Sequence, residues 1–156
     1  IKLNNFTYRS KMAAFDYDHT LVKPKTQYTF SKDVNDWMWL TPNIPKILKE
    51  IYNKGYAIVI FTNQSKTQSF KINQIINVFT SLKLPVNIFI ETDKRFKKPN
   101  PYMYNLYIDK RTKVNKKDSF YVGDALGRPS DYADSDKQFA INCNIKYISP
   151  EQMFIL

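Results

Sequence analysis

Met12-Ala13-Ala14-Phe15-Asp16-Tyr17-Asp18-His19-Thr20 opens on an apolar run and closes on two carboxylates two residues apart. A run that is apolar on both faces reads as a buried strand of the kind a parallel sheet encloses. Where such a strand runs out, residues two apart point to the same side, so Asp16 and Asp18 would share one edge of the sheet. Like charges that close repel unless a cation neutralises them, and the exposed ends of parallel strands are where α/β sheets place ligands.

Outward from this stretch, further runs rich in β-branched and aromatic residues predict strands over Ala57 to Phe61, Val86 to Ile90, Ser119 to Val122 and Ile145 to Ile148, after the first over Met12 to Asp16. Helical spacing appears between them, over Ile44 to Asn53, Phe70 to Leu82, Tyr102 to Asp109 and Asp131 to Asn142. Strand and helix alternate, which predicts βαβ units and a three-layer α/β domain around a parallel sheet. Pro42 is expected just inside the start of the first helix and Gly55 just past its end. At 156 residues the chain is expected to form one domain.

The same rim collects further polar groups. Phe61-Thr62-Asn63-Gln64 ends one predicted strand, Lys98-Pro99 follows the next, and Gly123-Asp124 follows the fourth. Cys143 and His19 are the lone cysteine and histidine, which excludes an internal disulfide and a structural zinc site. A metal here must be held by oxygen, which favours Mg²⁺.

Hydrophobic residues make up 43% and charged residues 24%, a globular composition, and no run approaches the length of a membrane span. We therefore expect a soluble intracellular protein, nuclear or cytoplasmic, with no membrane partner. The formal charge of +10 favours polyanions such as nucleic acid, although a lysine-rich solvated surface gives the same number. Basic residues are densest at Lys94, Arg95, Lys97 and Lys98 and then at Lys110, Arg111, Lys113, Lys116 and Lys117.

Taken in order, DxDxT at Asp16, Thr62 after a strand, Lys98, and the acidic motif beginning Gly123-Asp124 resemble the haloacid-dehalogenase (HAD) superfamily. Within it, FDYDHTL, the long stretch from Asp36-Trp37 through TPNIPKILKEIYNKGYAIVIFTNQS, KP and YVGDALGRPSDYADSDKQFAIN resemble the phosphatase domain of polynucleotide kinase 3′-phosphatase, from about Met12 to Phe154. The resemblance implies a HAD-like Rossmannoid fold and a Mg²⁺-dependent phosphomonoesterase that removes 3′-phosphate from DNA ends in end repair, with RNA left open. It makes Asp16 the nucleophile and Asp18 the acid that protonates the leaving oxygen and then activates water. Mg²⁺ would be held by Asp16, the main-chain carbonyl of Asp18, Asp124 and a second acid of the last motif, Asp136 in preference to Asp131 or Asp134. Thr62, Asn63, Lys98 and Arg128 would bind the substrate phosphate, with Thr62 and Lys98 counted as catalytic.

Several positions keep a plainer alternative. Asp131 also reads as a helix cap or first-turn acid, and Trp37 and Trp39 as core residues rather than stacking platforms. His19 stands where the family usually has glycine, which bears on the turn rather than on the carboxylates. The segments Leu21 to Thr41 and Thr92 to Lys98 are too short for a large cap domain. The three glycines cannot form a P-loop, so no ATP site is expected and the chain reads as a phosphatase alone, a monomer, or as a fragment of a larger protein. A small-molecule phosphatase and a catalytically silent nucleic-acid-binding module remain as competing readings.

Overall fold

The computed structural model describes residues 1–109 and 113–155, so Lys110 and Arg111 of the basic stretch lie outside the described residues. Five strands lie parallel in the main sheet: β2 (Lys11–Phe15), β5 (Tyr56–Asn63), β6 (Val86–Glu91), β7 (Phe120–Val122) and β8 (Lys146–Ile148). A short edge strand, β1 (Lys2–Leu3), pairs antiparallel with β6, so the sheet is mixed at one edge while its centre is parallel as the sequence pattern predicts. Its order is β1-β6-β5-β2-β7-β8. Two residues of β3 (Val22–Lys23) and two of β4 (Met38–Trp39) form a separate small hairpin.

Alternation along the central strands builds two cores. Ala13 and Phe15 of β2 with Ile58 and Ile60 of β5 face one side, and Met12 and Ala14 with Val59 and Phe61 face the other. On the first side they meet α1 (Ile44–Asn53), α2 (Phe70–Leu82) and α5 (Pro150–Phe154) through Leu48, Ile75, Phe79 and Phe154. On the second, α3 (Tyr102–Ile108) and α4 (Ser135–Cys143) contribute Met103, Tyr107, Phe139 and Cys143. Each fully buried side chain of this size contributes about 1.5–3 kcal/mol, and two such layers account for strands that are apolar on both faces.

The helix ends show where local signals mislead. Pro42 lies outside α1, ahead of its N-cap Asn43, and Pro45 holds the first-turn position instead. The last long helix begins at Ser135 rather than Asp131. Asp131 is thus neither a cap nor a first-turn acid: its carboxylate accepts from the backbone N–H groups of Leu126 and Arg128 and shapes the preceding loop, while Asp134 holds the N-cap position. No helix among the described residues is long and apolar enough to cross a membrane. No large cap domain is inserted between the described elements.

Candidate active site

Strand order reverses at β2, with β5 and β6 on one side and β7 and β8 on the other, and ligands in open α/β sheets bind at such a switch point. Asp16 stands one residue beyond β2 and Asp124 two residues beyond β7, with the Asp16 N–H bonded to the Val122 carbonyl at 2.8 Å. A cavity of about 650 Å³ opens over them and is lined by Asp16, Asp18, Asn63, Lys98, Asp124 and Asp136 among others.

At its floor Lys98 Nζ donates to Asp16 Oδ1 at 2.9 Å, to Asp136 Oδ1 at 3.0 Å and to the Tyr121 hydroxyl at 2.7 Å. Tyr121 in turn donates to Asp136 at 2.6 Å, and the Ala125 N–H donates to the other Asp136 oxygen at 3.0 Å. The buried Thr20 hydroxyl bridges Asp16 and Asp124 at 3.4 and 3.2 Å. Carboxyl oxygens of Asp16, Asp124 and Asp136 all lie within 4.8 Å of one another.

One ammonium does not neutralise three carboxylates in a buried space. Burial, opposed in part by Lys98 and reinforced by Asp136 and Asp124, holds the Asp16 carboxyl well above its usual range. Burial with the nearby Asp136 also raises the Asp124 carboxyl, even against its hydrogen bond with Asp16. Burial pulls on the Lys98 ammonium, but Asp136 and Asp16 outweigh it and keep the lysine firmly charged. An all-oxygen cluster with surplus negative charge fits a hard divalent cation such as Mg²⁺.

Asp18 is held apart from this cluster. Its carboxylate takes the Lys71 ammonium on Oδ1 and the Gln64 amide on Oδ2, the latter at 2.8 Å. Gln64 donates also to the Thr62 hydroxyl at 2.9 Å, so Thr62 lies beneath Gln64 rather than on the cavity wall. Asn63 exchanges hydrogen bonds with the backbone of Lys98, donating to its carbonyl at 3.1 Å and accepting from its N–H at 2.8 Å. That pair ties the β5 end to the lysine loop.

Arg128 is not brought to the cavity. Its guanidinium grips Asp131, at 2.8 and 3.1 Å, and Glu151 at 2.8 Å, and these carboxylates fix it beside the backbone of Asp124. His19 adopts a left-handed φ of +60°, the geometry that favours glycine, and its ring nitrogen lies 2.9 Å from the Thr29 carbonyl oxygen. Trp37 and Trp39 meet edge to face and pack against the first core while lining a second, shallower groove with Lys23 and Lys25.

The sequence pattern missed Gln64, Lys71, Tyr121 and Asp36. Lys71 left one trace: with Gln74, Ile75 and Val78 it occupies the buried stripe of α2, where a lysine is out of place unless partnered. Asp36 left none. Its carboxylate collects the N–H groups of Lys25, Thr26 and Lys32 and the Thr26 hydroxyl, at 2.9 to 3.1 Å, and so fastens the loop that carries Thr29, Phe30 and Ser31 to the cavity mouth.

A D,D-heptose bisphosphate phosphatase from B. bronchiseptica, solved with magnesium and phosphate, superposes with a TM-score of 0.63 at 21% identity, over 88% of this chain and 78% of that one. A chain of the Pnkp1/Rnl/Hen1 RNA repair complex gives 0.58 at 13% identity, over 93% and 45%. These likenesses concern the fold, which is that of HAD hydrolases. In sequence, a bifunctional polynucleotide phosphatase/kinase of Schizosaccharomyces pombe is 39% identical over 93% of this chain, which spans 38% of that protein's length. A 20.8 kDa protein of Autographa californica nuclear polyhedrosis virus is 37% identical over 95% of this chain and 87% of its own. The polynucleotide 3′-phosphatase ZDP of Arabidopsis thaliana is 30% identical, with this chain spanning 24% of it. The family model described as polynucleotide kinase 3 phosphatase matches residues 11–154, from the first residue of β2 to the last of α5, and the chain belongs to that family.

Proposed function

We propose that this chain is a polynucleotide 3′-phosphatase, acting as one domain on the 3′-phosphate of DNA ends through an aspartyl-phosphate on Asp16. The observation that carries the reading is the buried cluster of Asp16, Asp124 and Asp136 around Lys98 at the sheet's switch point, in a chain of this family. The substrate is supported by the names of its relatives and by the charge of +10.

Asp18 enters the first step protonated: an Asp16 oxygen attacks phosphorus, the P–O3′ bond breaks, and its electron pair leaves on O3′, which takes that proton from Asp18. In the second, water attacks the same phosphorus and loses a proton to Asp18. The bond to Asp16 breaks, which returns the carboxylate and releases phosphate. Lys98 stays charged throughout and neutralises Asp16 and the phosphoryl oxygens. Gln64 donates to the Thr62 hydroxyl, which itself donates to the Asn63 carbonyl at 3.5 Å, and this long bond is the one Thr62 would exchange for a bond to a phosphoryl oxygen.

Asp16, Asp124, Asp136 and the Asp18 carbonyl would hold Mg²⁺. When bound it supplies positive charge against the transferring phosphoryl group and lets the crowded carboxylates stay ionised. The decisive assay follows phosphate release from an end-labelled 3′-phosphorylated oligonucleotide, comparing parent with Asp16→Asn. The amide keeps the shape but cannot attack, so activity should fall by more than about 10³-fold with melting unchanged. Retention within about tenfold of the parent refutes the assignment.

A further inference from the structure

We infer that Lys71, assisted by Gln64, is a positioning residue that fixes the Asp18 carboxylate where the leaving oxygen departs. The inference rests on the reading of Asp18 as proton donor and acceptor.

Lys71 rises from the first turn of α2 and is 3% exposed. Its ammonium lies 5.0 Å from the centre of the Tyr17 ring and reaches Asp18 Oδ1. Tyr17 is itself held, its hydroxyl donating to Gln74 at 2.8 Å, and Gln74 donates to the Asp33 carbonyl at 3.2 Å. From the opposite side the Gln64 amide donates to Asp18 Oδ2 at 2.8 Å. The Asp18 side chain is 37% exposed, enough to swing in water, yet donors from two different elements hold both its oxygens.

Burying an ammonium is unfavourable, and an apolar side chain of similar volume in its place is often neutral or stabilising. The stripe formed by Lys71, Gln74, Ile75 and Val78 would pack as well around a methionine. What methionine cannot do is hold Asp18. Left to Gln64 alone, the Asp18 carboxyl group gains rotamers that face solvent, and delivery of its proton to O3′ slows.

Proton delivery matters only when the leaving group needs it. A sugar 3′-oxygen is a poor leaving group and must be protonated as the P–O bond breaks, whereas the 4-nitrophenolate of an aryl phosphate departs as a stable anion. Single-turnover release of the alcohol or phenol isolates this first step from the hydrolysis that follows. For Lys71→Met we expect release from a 3′-phosphorylated oligonucleotide to slow by about 30-fold or more, within the range of general-acid effects, with KM within about threefold. Release from 4-nitrophenyl phosphate should stay within about threefold of the parent.

Asp18→Asn supplies the reference. It should show the same selectivity more strongly, and adding Lys71→Met to it should slow oligonucleotide cleavage no further. Equal slowing of both substrates by Lys71→Met, or slowing of neither, while Asp18→Asn remains selective overturns the inference and leaves the phosphatase reading standing. An unselective Asp18→Asn overturns the role of Asp18 and the inference with it. Should Lys71→Met fail to fold, Lys71→Leu removes the same donor with another apolar side chain and carries the same test, with a selective loss expected and an unselective one decisive against it.

Discussion

Gly123 touches the site through what it lacks. A Cβ built there would stand 2.4 Å from Asp136 Cγ and 2.6 Å from its Oδ2, where ordinary contact begins near 3.4 Å. Gly123→Ala must therefore displace the Asp136 carboxylate by roughly 1 Å, because the methyl meets the head of a short, buried side chain and not the end of a flexible one. That carboxylate holds Lys98, the Tyr121 hydroxyl and the Ala125 N–H, all buried. Overpacking of this kind costs about 1–3 kcal/mol, and each buried donor left without its partner about as much again. Relaxation keeps some of these bonds, so a loss of about 2–4 kcal/mol is expected, which lowers the melting temperature of a chain this size by roughly 5–15 °C. Lys98 moves with Asp136, and a displacement of about 1 Å at a catalytic group reduces turnover on the order of 100-fold. Thermal melting and oligonucleotide dephosphorylation, measured on one preparation, check both numbers. A variant that melts within about 2 °C of the parent and turns over within about threefold of it refutes the claim that Gly123 is fixed by the approach of Asp136.

Three further outcomes follow from other parts of the molecule. Burial acts to raise the Asp36 carboxyl, but the hydrogen bonds from Lys32, Thr26 and Lys25 prevail and hold it below its usual value. Its contribution to stability is thus present above the unfolded-state value of about 3.9 and is lost as pH falls through the lower folded-state value. Denaturation of parent and Asp36→Asn should differ most near neutrality, with the gap closing in acid; a gap that widens there is contrary to the sign. Chelation by EDTA should abolish turnover and Mg²⁺ restore it with melting little changed, since the carboxylates attract a catalytic and not a structural ion, and restoration by zinc alone would count against the oxygen-ligand reading. The KM for an oligonucleotide should rise more steeply with salt than that for an aryl phosphate, and Lys94→Glu, on an exposed lysine of the loop before Lys98, should flatten the difference. Arg95 is the poorer probe because Asp93 already binds its guanidinium at 2.8 and 3.2 Å.

The parallel core was legible because burial on both faces forces unbroken apolar runs, and β5 carries such a run from Ala57 to Phe61 with Thr62 and Asn63 set at its end. Asp16, Asp18 and Asp124 stood out for the same reason, each among the first polar residues after a strand, whereas Lys98 is the last of several charged residues after β6 and stood out through Lys98-Pro99 and the family resemblance. Side-chain partnerships across long sequence separations leave no local pattern. The pairings of Asp16 with Lys98, 82 positions apart, and of Asp18 with Lys71, 53 positions apart, are invisible until the chain folds. Arg128 shows the converse: a cation in a phosphatase-like motif is drawn to the nearest carboxylates, Asp131 and Glu151, instead of the cavity. The antiparallel β1 escaped notice because two residues are too few to display a period.

The position of β2 at the centre of the sheet has a bearing on how the chain folds. Met12 pairs with Ala57 and Phe15 with Ile60, whereas the other edge of β2 waits for Phe120 to Val122. Loop closure over so many residues is slow, and parallel pairing cannot be seeded by a hairpin. During synthesis from the N-terminus, β2, α1, β5, α2 and β6 emerge first and can gather around the first core, while the far edge of β2 lies open. Asp124, Tyr121 and Asp136 arrive only with the last third of the chain. A ribosome-bound intermediate would therefore hold Asp16 in place before the groups that organise it, and an unsealed central strand is the point at which such an intermediate is open to mispairing or to a chaperone.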